Sequence, residues 1–219
     1  MTPLHAATLT WDTAAGDGAT ITDGSGNWDT ATSNWNSGAA NTTWTNATPD
    51  SAVIGSGGTA GTITLTTGIS VGGITFNTVT GNYAVTGNTI TLVGTATMTV
   101  NDDAASIASI ITGAGVLTKA GTGTLTISGP NTYTGATVVN AGTLNVTGSL
   151  TGAAAGTAFY ANGGNLTFNN SSGTSTFYGN GFGTAPTIAD NSTGTVTLQA
   201  GTVNILSQTG AGGSYGSLS

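Results

Sequence analysis

Residues 113–146 carry the clearest structural signal of the chain and read Gly113-Ala-Gly-Val-Leu-Thr-Lys-Ala-Gly-Thr-Gly-Thr-Leu-Thr-Ile-Ser-Gly-Pro-Asn-Thr-Tyr-Thr-Gly-Ala-Thr-Val-Val-Asn-Ala-Gly-Thr-Leu-Asn-Val146. Short runs such as Thr124-Leu-Thr-Ile127 and Thr143-Leu-Asn-Val146 alternate an apolar with a small polar side chain. Period-two alternation indicates a strand with one buried face and one wet face. Glycine and asparagine separate the runs, and both favour tight turns. The stretch therefore predicts short, closely spaced strands.

Apolar positions recur at a spacing close to 20 residues. Leu125 and Leu144 are 19 residues apart, and Ile90 and Ile110 are 20 apart. Such a recurrence predicts one coil of a β-solenoid, and we expect an all-β chain built as a single-stranded β-solenoid. A β-sandwich would also give regular short strands. The solenoid is preferred because the runs are short and the long connections of a Greek key are missing.

The chain divides into three regions by composition. Residues 1–60 hold all four tryptophans and predict an N-terminal Trp-rich cap, since the end coil of a stack presents unpaired backbone groups. Residues 61–150 predict the solenoid, and residues 151–219 predict looser β coils and a C-terminal tail. Residues 102–112 are the one candidate helix, although a further coil is the preferred interpretation.

Charge is scarce in this sequence. The 219 residues include one basic residue, eight acids and no cysteine, and the net charge is −7. Neutralising nucleic-acid phosphates or binding an anionic membrane needs clustered Lys and Arg, so we expect neither partner. No apolar run is long enough to span a bilayer. Without cysteine there are no disulfides or thiolate metal sites.

The stretch 113–146 closely resembles the passenger-associated transport repeat, also called the autotransporter-associated β-strand repeat. The matching elements include Leu117-Thr-Lys119, Gly123-Thr-Leu-Thr126, Asn131-Thr-Tyr-Thr-Gly135 and Gly142-Thr-Leu144. The cap is similar, more loosely, to the region that often precedes such repeats, through Trp11-Asp12, Asn27-Trp28, Asn34-Trp35 and Pro49-Asp50.

The resemblance implies a right-handed parallel β-helix on the surface of a cell or particle. The chain begins without a signal-peptide pattern and ends without the ten-residue strands of an outer-membrane barrel. From this we expect a passenger fragment or a virion protein with the same fold. Related repeats also occur in phage structural proteins.

Two candidate binding sites lie in the cap. Asp23, Ser25, Asn27 and Asp29 place oxygen side chains at alternate positions, like the opening of a calcium loop. The glycine of the sixth position and the closing glutamate are missing, so a plain turn is preferred and calcium is the secondary interpretation. Trp28, Trp35 and Trp44 could stack on sugar rings or contact a partner, with packing inside the cap as the preferred alternative.

Catalysis has few candidates. His5 is the only histidine, and we expect it in a solvated tail. Asp102 and Asp103 are adjacent, and neighbouring strand residues point to opposite faces, so a paired-carboxylate hydrolase is not expected. Lys119, the only cation, is expected at a surface or edge, where a charge discourages further strand pairing. We therefore expect no enzyme and no cofactor.

Three functions remain open. The first is a non-enzymatic virion component of a bacteriophage, such as a capsid decoration, fibre or spike, that assembles with copies of itself or with neighbouring structural subunits. The second is a secreted autotransporter-type passenger or adhesin that binds glycans or cells. The third is a polysaccharide-degrading spike. All three place the chain outside a cytoplasm, in an oligomer or a larger assembly.

Overall fold

The computed structural model describes residues 6–14, 16, 20–151, 158–179, 187–190, 195–207 and 217–218. The strands, in chain order, are β1 (Thr8–Trp11), β2 (Gly26–Trp28), β3 (Trp35–Asn36), β4 (Asn41–Thr42), β5 (Ser51–Ile54), β6 (Thr62–Leu65), β7 (Ile69–Phe76), β8 (Ala84–Gly87), β9 (Ile90–Val100), β10 (Ala104–Ile107), β11 (Ile111–Thr112), β12 (Val116–Ala120), β13 (Thr124–Ile127), β14 (Thr137–Val139), β15 (Thr143–Val146), β16 (Ala158–Ala161), β17 (Asn165–Gly179), β18 (Thr187–Asp190), β19 (Thr195–Ser207) and β20 (Ser217–Leu218). No helix occurs in these ranges, and so none there could cross a membrane. The all-β prediction is confirmed, and the candidate helix at 102–112 is instead β10 and β11.

The strands form two sheets, and each coil of the stack contributes strands to both. Sheet A has 11 strands in the order β18-β16-β14-β12-β9-β7-β5-β1-β3-β4, with β11 paired to β9. Sheet B has nine strands in the order β2-β6-β8-β10-β13-β15-β17-β19-β20. From β5 to β19, strands of the two sheets alternate, except that β11 and β12 both belong to sheet A. From β6 onward in this range, each strand pairs in parallel with a strand one coil earlier, as β12 does with β9 and β13 with β10. This is a β-solenoid, so the sandwich alternative is wrong; right-handedness stays a prediction.

Interior side chains stack in columns across sheet B. Leu125 pairs with Leu144, and Leu144 pairs with Leu166. All three are fully buried, because alternate residues of a strand face the same side. The predicted 19-residue spacing between Leu125 and Leu144 is therefore the register of the two coils that contain them.

Ile90 and Ile110, which are 20 residues apart, lie in successive coils but are not register partners. Ile90 pairs with Ile111, and the Ile90 N–H donates to the Ile110 carbonyl oxygen. Ile111 is fully buried, whereas Ile110 is partly exposed. A slip of one residue exchanges the two faces of a strand, so burial selects Ile111.

Parallel pairing begins well before residue 60. In sheet A, β5 pairs in parallel with both β1 and β7, and in sheet B, β2 pairs in parallel with β6. Among the described residues up to position 60, only β3 and β4 turn back, pairing antiparallel at the edge of sheet A. The cap predicted for 1–60 is thus distinct in composition but continuous with the solenoid in its hydrogen bonding.

Candidate functional site

The four tryptophans form one cluster at the N-terminal end of the solenoid. Trp35 lies 5.2 Å from Trp11, 4.7 Å from Trp28 and 4.8 Å from Trp44 between ring centroids. Trp28 and Trp44 are 4.9 Å apart with their planes at 74°. All four rings are at most 1% exposed. Tilted and edge-to-face contacts at these distances are favourable, so the cluster closes the apolar interior at this end.

Burial changes the interpretation of Trp28, Trp35 and Trp44. A ring without exposed surface cannot stack on a sugar, so these three residues form no sugar-binding platform in this structure. Trp44 Nε1 donates to the Ser70 carbonyl oxygen at 3.2 Å, whereas Trp28 Nε1 and Trp35 Nε1 are buried without a hydrogen-bond partner. Their ring faces and edges therefore supply the stabilising contacts.

The candidate calcium loop is held by protein donors. Asp23 accepts hydrogen bonds from the Ser56 and Gly58 N–H groups and from the Tyr83 hydroxyl. The Ser25 hydroxyl accepts from the Thr62 N–H at 2.9 Å. Asp23 thus links the first coil to loops of the following coils. Among the described residues, no group of three or more Asp, Glu, His or Cys side chains converges as metal ligands. The calcium interpretation stays a prediction.

Asp29 ends the same segment as a turn residue. It accepts from the Ala31 and Thr32 N–H groups and from the Thr32 and Thr66 hydroxyls, at 2.6 to 3.0 Å. Burial acts to raise the pKa of this carboxyl, but the four hydrogen bonds outweigh it and hold the pKa below its ordinary value. Asn27, between the two acids, is exposed.

Asp12 organises the end coil from inside. It is fully buried and accepts from the side-chain amides of Asn36 at 3.1 Å and Asn41 at 2.9 Å. It also accepts from the backbone N–H groups of Ala14 and Thr22. One carboxylate therefore fixes β3 and β4 against β1, and four donors compensate its burial.

A cavity of about 320 Å³ opens between the start of β1 and the segment joining β4 to β5. Leu9 contributes an apolar wall, and Asp50 contributes a carboxylate that is only 2% exposed. The hydroxyl-bearing residues that line it are Ser37, Thr42, Thr43, Thr45 and Thr48. This concave surface combines an apolar wall with several polar groups.

Lys119 does not lie at a surface or edge, so that prediction is wrong. Its side chain is fully buried, and Nζ donates to the carbonyl oxygens of Ala120 at 2.7 Å, Gly121 at 2.9 Å and Ala141 at 3.2 Å. Ala120 and Gly121 belong to its own coil and Ala141 to the next. Burial lowers the pKa of Lys119 to about 8.

The remaining catalytic candidates from the sequence are His5, Asp102 and Asp103. His5 lies outside the described residues. The Asp102 side chain accepts from the Asp103 N–H at 2.9 Å, an ordinary turn contact, while Asp103 is exposed. This pair shows no arrangement suited to proton transfer at a common substrate.

The fold and one segment of sequence together define a class: a parallel β-solenoid carrying a transport repeat. Residues 117–146 match the family described as Passenger-associated-transport-repeat. This confirms the resemblance for the segment that contains β12 to β15, including Lys119.

The chain is also similar to a curated bacterial protein, the adhesin BmaC autotransporter of Brucella suis biovar 1 (strain 1330). The two are 38% identical over 116 residues, which cover 49% of this chain and 3% of the relative. The chain thus spans only a small part of that relative's length. No solved structure gave a significant match.

Sequence reasoning missed two features that the structure brings out. Lys119 lies two residues after Leu117 on β12, and residues two apart on a strand face the same side. Strand alternation could therefore have placed Lys119 inside. No sequence pattern indicated that Asp50 would be buried beside Ala7. Its partner Ala7 is 43 residues away, and only the fold brings the two together.

Proposed function

We propose that this chain is a rod-forming, non-enzymatic segment of an autotransporter-type passenger or adhesin, located outside the cell or on its surface. The observation that carries the proposal is a transport repeat at 117–146 that lies within an uninterrupted parallel ladder. The similarity to an adhesin autotransporter supports the same location. The virion and depolymerase interpretations have no support from the relatives.

A stacked solenoid suits a spacer on a surface. Each coil adds about 4.8 Å along the axis, and backbone hydrogen bonds join every coil to the next. The low charge of the chain, one basic residue and eight acids, leaves the outer faces to Thr, Ser and Asn side chains. Glycans, host cells and other copies of surface proteins are the partners proposed for such a rod, without a cofactor.

Location on intact cells tests this proposal. An antibody raised against residues 61–150 is applied to live source bacteria, before and after treatment with an external protease. We expect labelling of intact cells that the protease removes, while a cytoplasmic marker stays unlabelled. Labelling that requires lysis, or that follows purified phage particles, would contradict the proposal.

A further inference from the structure

The cavity beside Asp50 contains an acceptor that the protein leaves unmatched. Asp50 Oδ1 accepts from the Ala7 N–H at 2.7 Å and from the Thr48 hydroxyl at 3.1 Å. No donor in the described ranges reaches Oδ2. A carboxylate has about four acceptor positions. Oδ2 is not one of the buried polar atoms that lack a partner, so it keeps an accessible surface. A ligand that brings hydrogen-bond donors could therefore pair with it.

The surroundings of Asp50 restrict the chemistry of such a ligand. Lys119, the only Lys or Arg in the chain, is bound to backbone carbonyls elsewhere. The net charge of −7 and the carboxylate itself disfavour an anion. Hydroxyl side chains both donate and accept hydrogen bonds, and they line the same cavity as the apolar residues Ala7 and Leu9. The cavity therefore suits a neutral molecule with hydroxyl groups and one apolar face.

The geometry points to this cavity as a binding site for one neutral pyranose unit, such as the terminal sugar of a glycan. The volume of about 320 Å³ lies at the lower end of ligand pockets, which begin near about 300 Å³, so it accommodates a monosaccharide rather than an extended oligomer. The sugar hydroxyls donate to Asp50 Oδ2, and the ring C–H face packs on the exposed methyl group of Ala7 beside Leu9. The inference rests on the proposed adhesin function and names its ligand class.

Binding is tested on the full chain with glucose, galactose, mannose and N-acetylglucosamine, and with glucuronic acid as the acidic comparison. Saturation-transfer NMR and calorimetric titration measure the affinity. Asp50→Asn keeps the Oδ1 acceptor and replaces Oδ2 by a donor, whereas Thr43→Trp places a large side chain in the cavity wall. Asp103→Asn is the matched control, since it removes an exposed carboxylate distant in the sequence. Thermal unfolding shows that each variant is folded.

We expect saturable binding of at least one neutral sugar, a loss of at least about tenfold in Asp50→Asn, no binding in Thr43→Trp, and unchanged affinity in Asp103→Asn. Glucuronic acid is expected to bind more weakly. Absence of saturable binding to every neutral sugar, or equal affinity in folded Asp50→Asn, would overturn the inference. Either result leaves surface labelling of intact cells unaffected, so the two proposals fail separately.

Discussion

Lys119 replaces an apolar residue in an interior column of sheet A. Its neighbours in register are Met98 on one side and Val139 on the other. An ammonium in such a position is tolerated only because three carbonyl oxygens receive its three protons. The repeat therefore uses one buried cation to join the corner of one coil to the corner of the next.

This burial predicts an unusual dependence of stability on pH. The folded-state pKa of Lys119 is about 8, while the unfolded value stays near the ordinary 10.5. Between these values the unfolded chain binds more protons, so the free energy of unfolding rises with pH. The expected gain is on the order of 3 kcal/mol at most. Burial raises the pKa of Tyr83 and Tyr133, which lowers stability again above the ordinary tyrosine pKa.

Urea unfolding of the wild type at pH 7 and pH 9.5 measures this rise. Lys119→Met keeps the length of the side chain and removes the titrating group, so the variant should lose the rise while remaining folded. In this variant the three carbonyl oxygens that accept from Lys119 lose their donor. A lower stability than the wild type at pH 7 would therefore not contradict the mechanism. An equal rise in wild type and Lys119→Met would contradict it.

The tryptophan cluster makes a second prediction at this scale. Trp35 contacts the three other indoles, whereas Trp11 contacts Trp35 alone within the cluster. Trp35→Phe should weaken the near-ultraviolet circular dichroism of the coupled rings more than Trp11→Phe, and should cost about 1 to 3 kcal/mol. Equal spectral losses in the two variants would show that the rings do not couple as described.

The corner that follows sheet A is built in two ways along the stack. Two asparagine pairs bridge successive coils through their side-chain amides, Asn77–Asn101 at 3.1 Å and Asn140–Asn162 at 3.2 Å. Between the two pairs the corner residue is Gly121, with φ at 73°. There the Lys119 ammonium bridges the coils from inside by donating to backbone carbonyls. Amide-to-amide hydrogen bonds and a buried ammonium thus join corresponding corners of different coils.

Close stacking at the corners predicts that glycine is required at Gly123. A Cβ at this position would overlap the backbone carbonyl oxygen of Asp102 in the preceding coil. Gly123→Ala should therefore destabilise the chain by more than about 2 kcal/mol. Gly68→Ala is the matched control, since its Cβ would meet only side-chain atoms, the Thr89 hydroxyl at 3.0 Å and Asn88 Oδ1 at 3.8 Å, and the hydroxyl can rotate. Denaturant midpoints compare the two, and equal losses would argue against close stacking as the cause.

The alternation of apolar and polar residues and its recurrence were sufficient to predict the short strands of the solenoid. Both patterns arise because one face of each short strand is buried in the stack. They identified the runs that became β13 and β15 and the register of Leu125 on Leu144. The end coil could not be predicted in this way. Tyr83 donates to Asp23 across 60 residues, and no local pattern encodes that pairing. The cavity beside Asp50 depends on similarly distant partners.

At the scale of the whole molecule, the solenoid is a one-dimensional stack in which each coil mainly contacts its neighbours. Its stability is then close to a sum of coil and interface terms. The parallel register carries from β10 to β13 without a shift, with Ala104 opposite Thr124 and Ile107 opposite Ile127. A whole coil is therefore a unit that can be removed without exchanging interior for exterior faces.

Deletion of residues 104–123 removes one such coil, with Lys119, and joins Asp103 to Thr124. The strand 124–127 should then pair with β8 in place of β10, since the apolar residues keep their parity. We expect a shorter protein that unfolds cooperatively and retains a β-type circular dichroism spectrum. Deletion of residues 104–113 removes about half a coil, carries the chain to the wrong sheet and should abolish cooperative unfolding. The half-coil deletion should fail because even a one-residue slip exchanges the two faces of a strand. If both deletions abolished folding, coils would not be exchangeable units. Specific contacts such as those of Lys119 at its corner would then hold the stack together.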